Sequence, residues 1–330
     1  MRRGFQSASF EIVESRLVKL QGSSGRNSEV STITIENKAY FCKQIKSTDP
    51  ARLLREVKFG EYLRGICSSY ASKFVGLIGE KYLVYELIAN FDRPTDWETK
   101  FCYHLQAFLA EINTRAAKAS LQFQAAENCL SLPRYLQAIG SRFEDLIEQS
   151  AQGGLDCLKT AETLLQIFCV EKAEIQSRYD FNTWTSISEN LVMVSPGDIG
   201  THNAIWTGES FVFFDFEFGG RDFIGKAMLD FLFHPGCELD SHQRYDLIPV
   251  FLDLMQCDAR GVELTLVILR VTWLKWALII FKRELQVSRK VSGDEIEHPK
   301  TIAFIENGRK TIEQLGSIIK LSARELINGN

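Results

Sequence analysis

Two aspartates and an asparagine in the second half of the sequence follow an order that suits phosphoryl transfer. Asp198 precedes Asn203 by five residues in a polar loop, and Asp215 follows the apolar residues 211–214. Phosphoryl transfer requires a carboxylate near the attacking hydroxyl, and an amide oxygen with a further carboxylate to hold Mg²⁺ on the nucleotide phosphates. A turn at 207–210 would fold the segment into a hairpin and bring Asn203 and Asp215 towards one metal ion.

Each of these residues also has a structural interpretation. Asp198 could cap a turn after the Pro-Gly pair that precedes it, and Asp215 could end a strand. An aspartate between Phe214 and Phe216 is costly to bury without a partner or a metal, however. Because all the parts occur together and in this order, we interpret the set as catalytic.

The elements that must position this set fall into two parts. The first 88 residues alternate in polarity as strands do, with one helix. The predicted segments are a hairpin over 30–45, a helix from Asp49-Pro50 to about Arg64, and strands over 74–78 and 82–88. Lys43 lies on the second strand of the hairpin, and Glu56 lies on the helix.

Beyond residue 95 the apolar residues follow a helical period, as over 101–112 and 158–169. The helical pattern resumes from about Met228, after the polar loop with its flanking strands. The sequence therefore predicts an α+β chain with a small N-terminal lobe, 1–88, and a large, mainly helical C-terminal lobe, 89–330.

Composition excludes several classes of protein. The chain has 330 residues, 45% of them hydrophobic and 24% charged, as in soluble globular proteins. A formal net charge of −4 argues against a dedicated nucleic-acid-binding protein. The most apolar window, 264–281, contains Arg270 and Lys275, which favours a buried helix over a membrane span.

The cysteines and the N-terminus indicate where the protein acts. Eight cysteines occur without a Cys-x-x-Cys pair, which predicts free and mostly buried thiols in a reducing compartment. Basic residues at the N-terminus lack the apolar run of a signal peptide. We predict a cytoplasmic protein with neither a nucleic-acid nor a membrane partner, and we leave its oligomeric state open.

The motifs resemble those of the aminoglycoside phosphotransferase and choline kinase family, which are small-molecule kinases with a protein-kinase-like bilobal fold. The catalytic loop of this family, His-Gly-Asp with Asn five residues on, is matched from Gly197 to Asn203, with Pro196 in place of the histidine. Its Asp-Phe-Glu metal motif is matched at 215–217, and Asp222 and Asp230 resemble acidic positions that follow it. The loop is also similar to that of an uncharacterised bacterial subgroup of phosphotransferases.

The resemblance implies ATP and Mg²⁺ as cofactors and a role for each matched residue. Asp198 would be the catalytic base, and Asn203, Asp215 and Glu217 would hold the metal. The residues implied in nucleotide binding are Lys43, Glu56, Gly25, Asn27, Glu86 and Ile88. Lys43 would hold the phosphates and pair with Glu56, and the Gly/Ser-rich loop 22–28 would cover the phosphates. Glu86 and Ile88 would belong to the adenine-binding hinge.

We therefore predict an ATP-dependent kinase that phosphorylates a hydroxyl of a small molecule. A sugar or polyol acceptor is favoured by four tryptophans, Trp184, Trp206, Trp273 and Trp276, which could offer aromatic surfaces. Aminoglycoside-type and choline-type acceptors are the alternatives that the resemblance suggests. A nucleotide-binding pseudokinase scaffold is the alternative from another class, and its support is Pro196. A protein kinase is less favoured, because the chain lacks an Ala-Pro-Glu segment after Asp215.

Overall fold

A computed structural model describes most of the chain. The described residues are 18–19, 28–35, 37–46, 49–79, 81–151, 155–180, 184–288 and 299–329. Contacts between Cα atoms divide the chain into two compact units, each assembled from two stretches of sequence. The first unit contains Met1–Ala126 and Val194–Arg221, and the second contains Glu127–Met193 and Asp222–Asn330. The predicted lobe boundary at residue 88 stays a prediction.

Strands and helices are numbered here in chain order. The strands are β1 Val18–Lys19, β2 Ser28–Ile35, β3 Lys38–Ile45, β4 Phe74–Ile78, β5 Tyr82–Glu86, β6 Val192–Ser195, β7 Ala204–Trp206, β8 Phe211–Phe213 and β9 Gly220–Phe223. The helices are α1 Pro50–Gly65, α2 Trp97–Ile112, α3 Arg115–Ser120, α4 Leu132–Ser150, α5 Leu155–Arg178, α6 Ile224–Phe233, α7 Ser241–Tyr245, α8 Ile248–Leu254, α9 Ala259–Ser288 and α10 Pro299–Gly329.

An antiparallel sheet of five strands, in the order β1-β2-β3-β5-β4, forms the N-terminal part of the first unit. The predicted hairpin is confirmed, since β2 pairs with β3 from Ser28↔Ile45 to Ile35↔Lys38. Its turn holds Asn37 at a φ of +64°, in the left-handed region that asparagine tolerates. Phe74, Leu83 and Tyr85 form the buried core of this sheet.

Helix α1 begins where the sequence predicts. The side chain of Asp49 accepts a hydrogen bond from the backbone N–H of Ala51, and Pro50 occupies the first turn, where its missing N–H costs nothing. Leu54 is exposed on this helix, although its side chain is apolar. The buried positions instead include Glu56 and Phe59.

The segment with the predicted catalytic residues belongs to the first unit. Strands β7 and β8 form the predicted hairpin, pairing from Ala204↔Phe213 to Trp206↔Phe211. The hydroxyl of Thr207 donates to the carbonyl of Ser210 and closes the turn. Helix α2 packs its phenylalanines against β8, with Phe108 and Phe213 stacked at a ring separation of 5.0 Å.

The second unit is helical, and α9 is its central element. This helix packs against α4, α5, α6 and α10. Every residue of α6 is buried, which requires partners for its two charged side chains, Lys226 and Asp230. The helix starts at Ile224, earlier than the predicted Met228.

Helix α9 meets the length and composition of a membrane span over Ala259–Val287, and its most apolar window has a mean hydropathy of 1.9. The most apolar window of this segment is 78% buried inside the protein. Core helices of soluble proteins share that composition, so the segment is weak evidence for a membrane span. All eight cysteines are free, as predicted, and four of them are buried.

Candidate active site

A buried ion-pair cluster in the first unit joins three of the predicted residues. The Lys43 Nζ atom lies 2.7 Å from the Glu56 Oε2 atom and 2.8 Å from the Asp215 Oδ1 atom. Lys43 and Glu56 are 4% and 1% exposed, whereas the Asp215 side chain is 34% exposed. The structure thus brings a strand lysine, a helix glutamate and the aspartate after β8 to one point, the last with access to solvent.

The lysine of this cluster remains charged. Burial alone lowers the pKa of Lys43, but the charges of Glu56 and Asp215 and the hydrogen bonds to them outweigh that effect and raise the pKa. A permanent ammonium held between two carboxylates suits a group that contacts nucleotide phosphates. The cluster therefore has the charge and the geometry of a phosphate-binding lysine with its ion-pair partner.

Helix α1 also holds the segment that follows Asp215. The Arg55 Nε atom donates to the backbone carbonyl of Glu217 at 2.9 Å, and the Arg52 guanidinium lies 3.4 Å from the Glu217 carboxylate. The Phe59 ring stacks on the Phe216 ring at 4.9 Å. With Glu56, these residues occupy one face of α1, at the helical spacing i, i+3, i+4 and i+7.

The predicted third metal ligand, Glu217, is buried beside these groups. Burial, followed by the nearby charge of Asp215, raises the pKa of Glu217 to about 7. Glu56, Asp215 and Glu217 each offer a carboxylate oxygen within 4.8 Å of the others. In the metal-free protein the region around Lys43 therefore carries an excess of acidic groups.

The predicted catalytic loop positions Asp198 next to Asn203. The Asn203 Nδ2 atom donates to the backbone carbonyl of Asp198 at 3.0 Å, which orients the amide. The His202 Nε2 atom lies 3.5 Å from the Asp198 Oδ2 atom. A Cβ atom at Gly200 would collide with the His202 ring, so the glycine allows the imidazole to fold back towards Asp198.

The β7–β8 hairpin brings Asn203 to Phe214, the residue that precedes Asp215. The backbone N–H of Phe214 donates to the carbonyl of Asn203 at 3.1 Å. Asp215 itself has a φ of +68°, in the left-handed region that aspartate tolerates better than most residues. Gly197, at a φ of +87°, lies so close to the backbone of Phe218 that a Cβ atom would meet it at 2.5 Å.

Of the residues predicted to bind nucleotide, Glu86 and Ile88 of the predicted hinge lie within the part of the chain that the structure describes. The Glu86 N–H donates to the carbonyl of Lys73, so this group is already used by the chain. The Glu86 carboxylate pairs with Lys38 at 3.1 Å, and Ile88 is half-buried beyond the end of β5. Gly25 and Asn27 lie outside the described residues.

The two later acidic residues belong to the second unit, where they bind lysines. The Lys226 Nζ atom lies 2.8 Å from the Asp222 carboxylate and 2.9 Å from the Asp230 carboxylate. Lys275 also contacts Asp230. The Trp276 Nε1 atom donates to Asp230 at 3.1 Å.

Sequence reasoning missed several residues that support the predicted ones. Arg52, Arg55 and Phe59 could have been found from their helical spacing with Glu56. Tyr85, whose hydroxyl donates to the Glu56 Oε1 atom at 2.7 Å, gave no sequence signal beyond its place in a strand. Arg93, which donates to the backbone carbonyl of Thr201 at 3.2 Å, also gave none.

Comparisons with known proteins find the fold but no sequence relative. No protein-family model matches the chain, and no curated protein matches it either. A choline kinase from Cryptosporidium parvum Iowa II is similar in structure, with a TM-score of 0.58 and 12% identity over 95% of this chain and 94% of that chain. The ADP-bound aminoglycoside phosphotransferase APH(2'')-Ib has a TM-score of 0.54 and 13% identity, covering 95% of each chain.

A Plasmodium vivax ethanolamine kinase has a TM-score of 0.51 and 12% identity over 94% of this chain and 83% of that chain. These likenesses confirm the predicted fold: an α+β, kinase-like architecture shared with choline kinases and aminoglycoside phosphotransferases.

Proposed function

We propose that the protein is an ATP-dependent kinase that phosphorylates a hydroxyl group of a small molecule. The observation that carries this proposal is the cluster of Lys43, Glu56 and Asp215, with Asn203 held by the β7–β8 hairpin to Phe214, the residue that precedes Asp215. The loop aspartate Asp198 belongs to the same unit as these residues. Phosphoryl transfer depends mainly on positioning and charge stabilisation, which this arrangement supplies.

Asp198 is the proposed base. Its carboxylate takes the proton of the acceptor hydroxyl while the acceptor oxygen forms a bond to the γ-phosphorus, and the bond from that phosphorus to the β–γ bridging oxygen breaks, releasing ADP. His202, at 3.5 Å, helps to orient this carboxylate. Lys43 holds the α- and β-phosphates and is itself held by Glu56.

The donor set also fits Mg²⁺. Magnesium prefers oxygen ligands, and the Asn203 amide has its nitrogen engaged with Asp198, so its oxygen is the atom suited to a metal. Asp215 offers a partly exposed carboxylate, and Glu217 offers a buried one. When bound, the ion would neutralise charge on the phosphates.

The acceptor class is proposed only as a small hydroxylated molecule. Trp184, Trp206, Trp273 and Trp276 are each at most 9% exposed, so they pack inside their units and do not offer stacking surfaces to a sugar. Choline, ethanolamine and aminoglycosides, which the similar structures name, are candidates alongside sugars and polyols. We also retain the prediction of a cytoplasmic location.

A pseudokinase scaffold is the second candidate function, and Pro196 favours it. The family histidine is missing at this position, and Asp215 is bound to Lys43. Such a protein would bind nucleotide without turnover. Measuring ATP consumption with Mg²⁺ across sugars, amino alcohols and aminoglycosides separates the two functions. A kinase consumes ATP when its acceptor is present, whereas a pseudokinase consumes none with any of them.

The decisive variant is Asp198→Asn. Removing a general base lowers kcat by about 10²–10⁴-fold, whereas nucleotide affinity should stay within about threefold of the wild type because Asp198 contacts the acceptor. Asp258→Asn is the matched control, since this cap residue of α9 receives hydrogen bonds from Arg260 and Gly261 that asparagine also accepts. Full activity in Asp198→Asn would refute the assignment of the base.

A further inference from the structure

The carboxylate of Glu56 has a second donor besides Lys43. Its Oε2 atom accepts from Lys43 at 2.7 Å, and its Oε1 atom accepts from the hydroxyl of Tyr85, also at 2.7 Å. The three residues are 4%, 1% and 4% exposed, in the order Lys43, Glu56, Tyr85. Both oxygens of a fully buried carboxylate are thus fixed by donors from outside its own helix.

The two donors come from neighbouring strands of the same sheet. In the β3–β5 register, Phe41 lies opposite Tyr85 and Lys43 lies opposite Leu83. Residues two apart on a strand share a face, so Lys43 and Tyr85 are diagonal neighbours on the face that meets α1. The Tyr85 ring contacts Phe41 and Phe74, which fixes its hydroxyl over Glu56.

Two carboxylates compete for the Lys43 ammonium group. Lys43 contacts Glu56 at 2.7 Å and Asp215 at 2.8 Å, and Asp215 is a proposed metal ligand. A Glu56 carboxylate that loses its second hydrogen bond is no longer fixed in one orientation, so its bond to Lys43 is held in place less well. The lysine would then pair more tightly with Asp215 and withdraw that oxygen from the metal.

We propose that Tyr85 is a positioning residue for magnesium–nucleotide binding, because its hydroxyl fixes the Glu56 carboxylate that shares Lys43 with Asp215. This inference rests on the proposed function, since it assigns Lys43 to phosphates and Asp215 to Mg²⁺. Tyr85 acts through Glu56 and does not itself touch the reacting atoms.

The test is a double-mutant cycle of Tyr85→Phe and Glu56→Gln, read out as the MgADP dissociation constant from calorimetry. Phenylalanine keeps the ring and its packing against Phe41 and Phe74. We expect Tyr85→Phe to weaken MgADP binding about tenfold, as the loss of a buried hydrogen bond to a charged group does. In the Glu56→Gln background the same change should cost less than about twofold, because the two residues act as a unit.

Tyr62→Phe is the matched control. The Tyr62 hydroxyl donates to the backbone carbonyl of Ile112 at 2.6 Å, so this variant also loses one buried hydroxyl hydrogen bond in the first unit. Thermal melting should show a loss of stability in both variants, whereas the weaker MgADP binding should be confined to Tyr85→Phe. Steady-state kinetics should show a raised KM for MgATP with kcat within about threefold, because ground-state phosphate binding is what weakens.

Two results would overturn the inference. One is unchanged MgADP affinity in Tyr85→Phe, and the other is a loss of affinity that is as large in the Glu56→Gln background as in the wild type. The binding measurement needs no turnover, so a wild-type chain that binds MgADP but transfers no phosphate would refute the kinase function and leave the Tyr85 inference to be decided by the cycle. Phenylalanine keeps the ring and its contacts with Phe41 and Phe74, so Tyr85→Phe should stay folded, and thermal melting checks this before the affinities are compared.

Discussion

Each of the two units contains a buried cluster of lysines and carboxylates, and the clusters differ in charge balance. The Lys43 cluster consists of Lys43, Glu56 and Asp215, so one ammonium faces two carboxylates. Glu217, with its pKa raised to about 7 by burial and then by Asp215, adds a further acidic group. The side chain of Asp215 is 34% exposed, which leaves the cluster open to a ligand.

The second cluster, the Lys226 cluster, is balanced and closed. It consists of Lys226, Lys275, Asp222 and Asp230, whose side chains are 6%, 4%, 1% and 10% exposed. The carboxylate of Asp222 also accepts from the backbone N–H of Cys129 at 2.7 Å. Two positive and two negative charges satisfy one another.

The difference separates a site from a structural network. A buried ion pair by itself is weak evidence for function, because desolvation offsets much of the attraction. The Lys43 cluster has more carboxylates than ammonium groups and is open to solvent at Asp215, so it favours binding of a cation. The Lys226 cluster has no such excess. Binding should therefore depend on the Lys43 cluster and folding on the Lys226 cluster.

The largest effect on folding should follow from Lys226→Met. This change leaves Asp222 without its lysine and Asp230 with Lys275 alone, and breaking a buried pair in this way costs about 3–5 kcal/mol of unfolding free energy. Denaturant titration followed by circular dichroism measures the loss. A decrease below 1 kcal/mol would contradict a stabilising role of the cluster.

The matched change in the other cluster is Lys43→Met. It should lower phosphoryl transfer by about 10²–10³-fold, the usual cost of a lost charge-stabilising group, with a smaller loss of stability than Lys226→Met. Asp215 can turn to solvent, and Glu56 keeps Tyr85. Equal losses of stability in the two variants would remove the distinction between the clusters.

The residues of the Lys43 cluster and of the loop before it could be predicted because their order along the chain is distinctive. Lys43, Glu56, Asp198, Asn203 and Asp215 follow the order of the kinase motifs, and the hairpin that joins the last two follows from a short turn between apolar strands. Hydrophobic period similarly located the helices, with errors of a few residues at their ends.

The supporting contacts could not be predicted in the same way. The bond between Tyr85 and Glu56 depends on strand register and on the face that meets α1, neither of which a local pattern determines. Lys226 pairs with Asp222 and Asp230 at an i, i+4 spacing that the sequence does show, whereas the contact of Lys275 with Asp230 depends on how α6 packs against α9. The tryptophans misled because aromatic residues are common both in cores and at binding sites.

An intermediate effect should come from pH in the metal-free protein. Glu217, with its pKa raised to about 7, keeps its proton in the folded chain where the unfolded chain has lost it, so stability should fall as the pH rises from about 4.5 to about 7. The contribution is at most about 3.5 kcal/mol, at about 1.4 kcal/mol per pH unit. Glu217→Gln should flatten this slope in urea titrations with EDTA present.

Two controls apply to this measurement. Glu61→Gln, an exposed change on α1, should leave the slope as it is in the wild type. Saturating Mg²⁺ with ADP should reduce the slope, because a bound cation favours the ionised carboxylate. A Glu217→Gln variant with the wild-type slope would show that other groups titrate in this range.

The smallest effect should come from removing the neutral hydrogen-bond donor of the Lys226 cluster, Trp276, which corresponds to Tyr85 at the Lys43 cluster. Trp276 donates to Asp230 as Tyr85 donates to Glu56, so Trp276→Phe removes an equivalent hydrogen bond from the Lys226 cluster. Because Asp230 keeps both lysines, the unfolding free energy should fall by about 1–2 kcal/mol, measured by denaturant titration. The MgADP dissociation constant should not change, in contrast to the effect of Tyr85→Phe. Equal weakening of MgADP binding in the two variants would mean that the closed cluster also serves the nucleotide, and that charge imbalance is not what distinguishes the site.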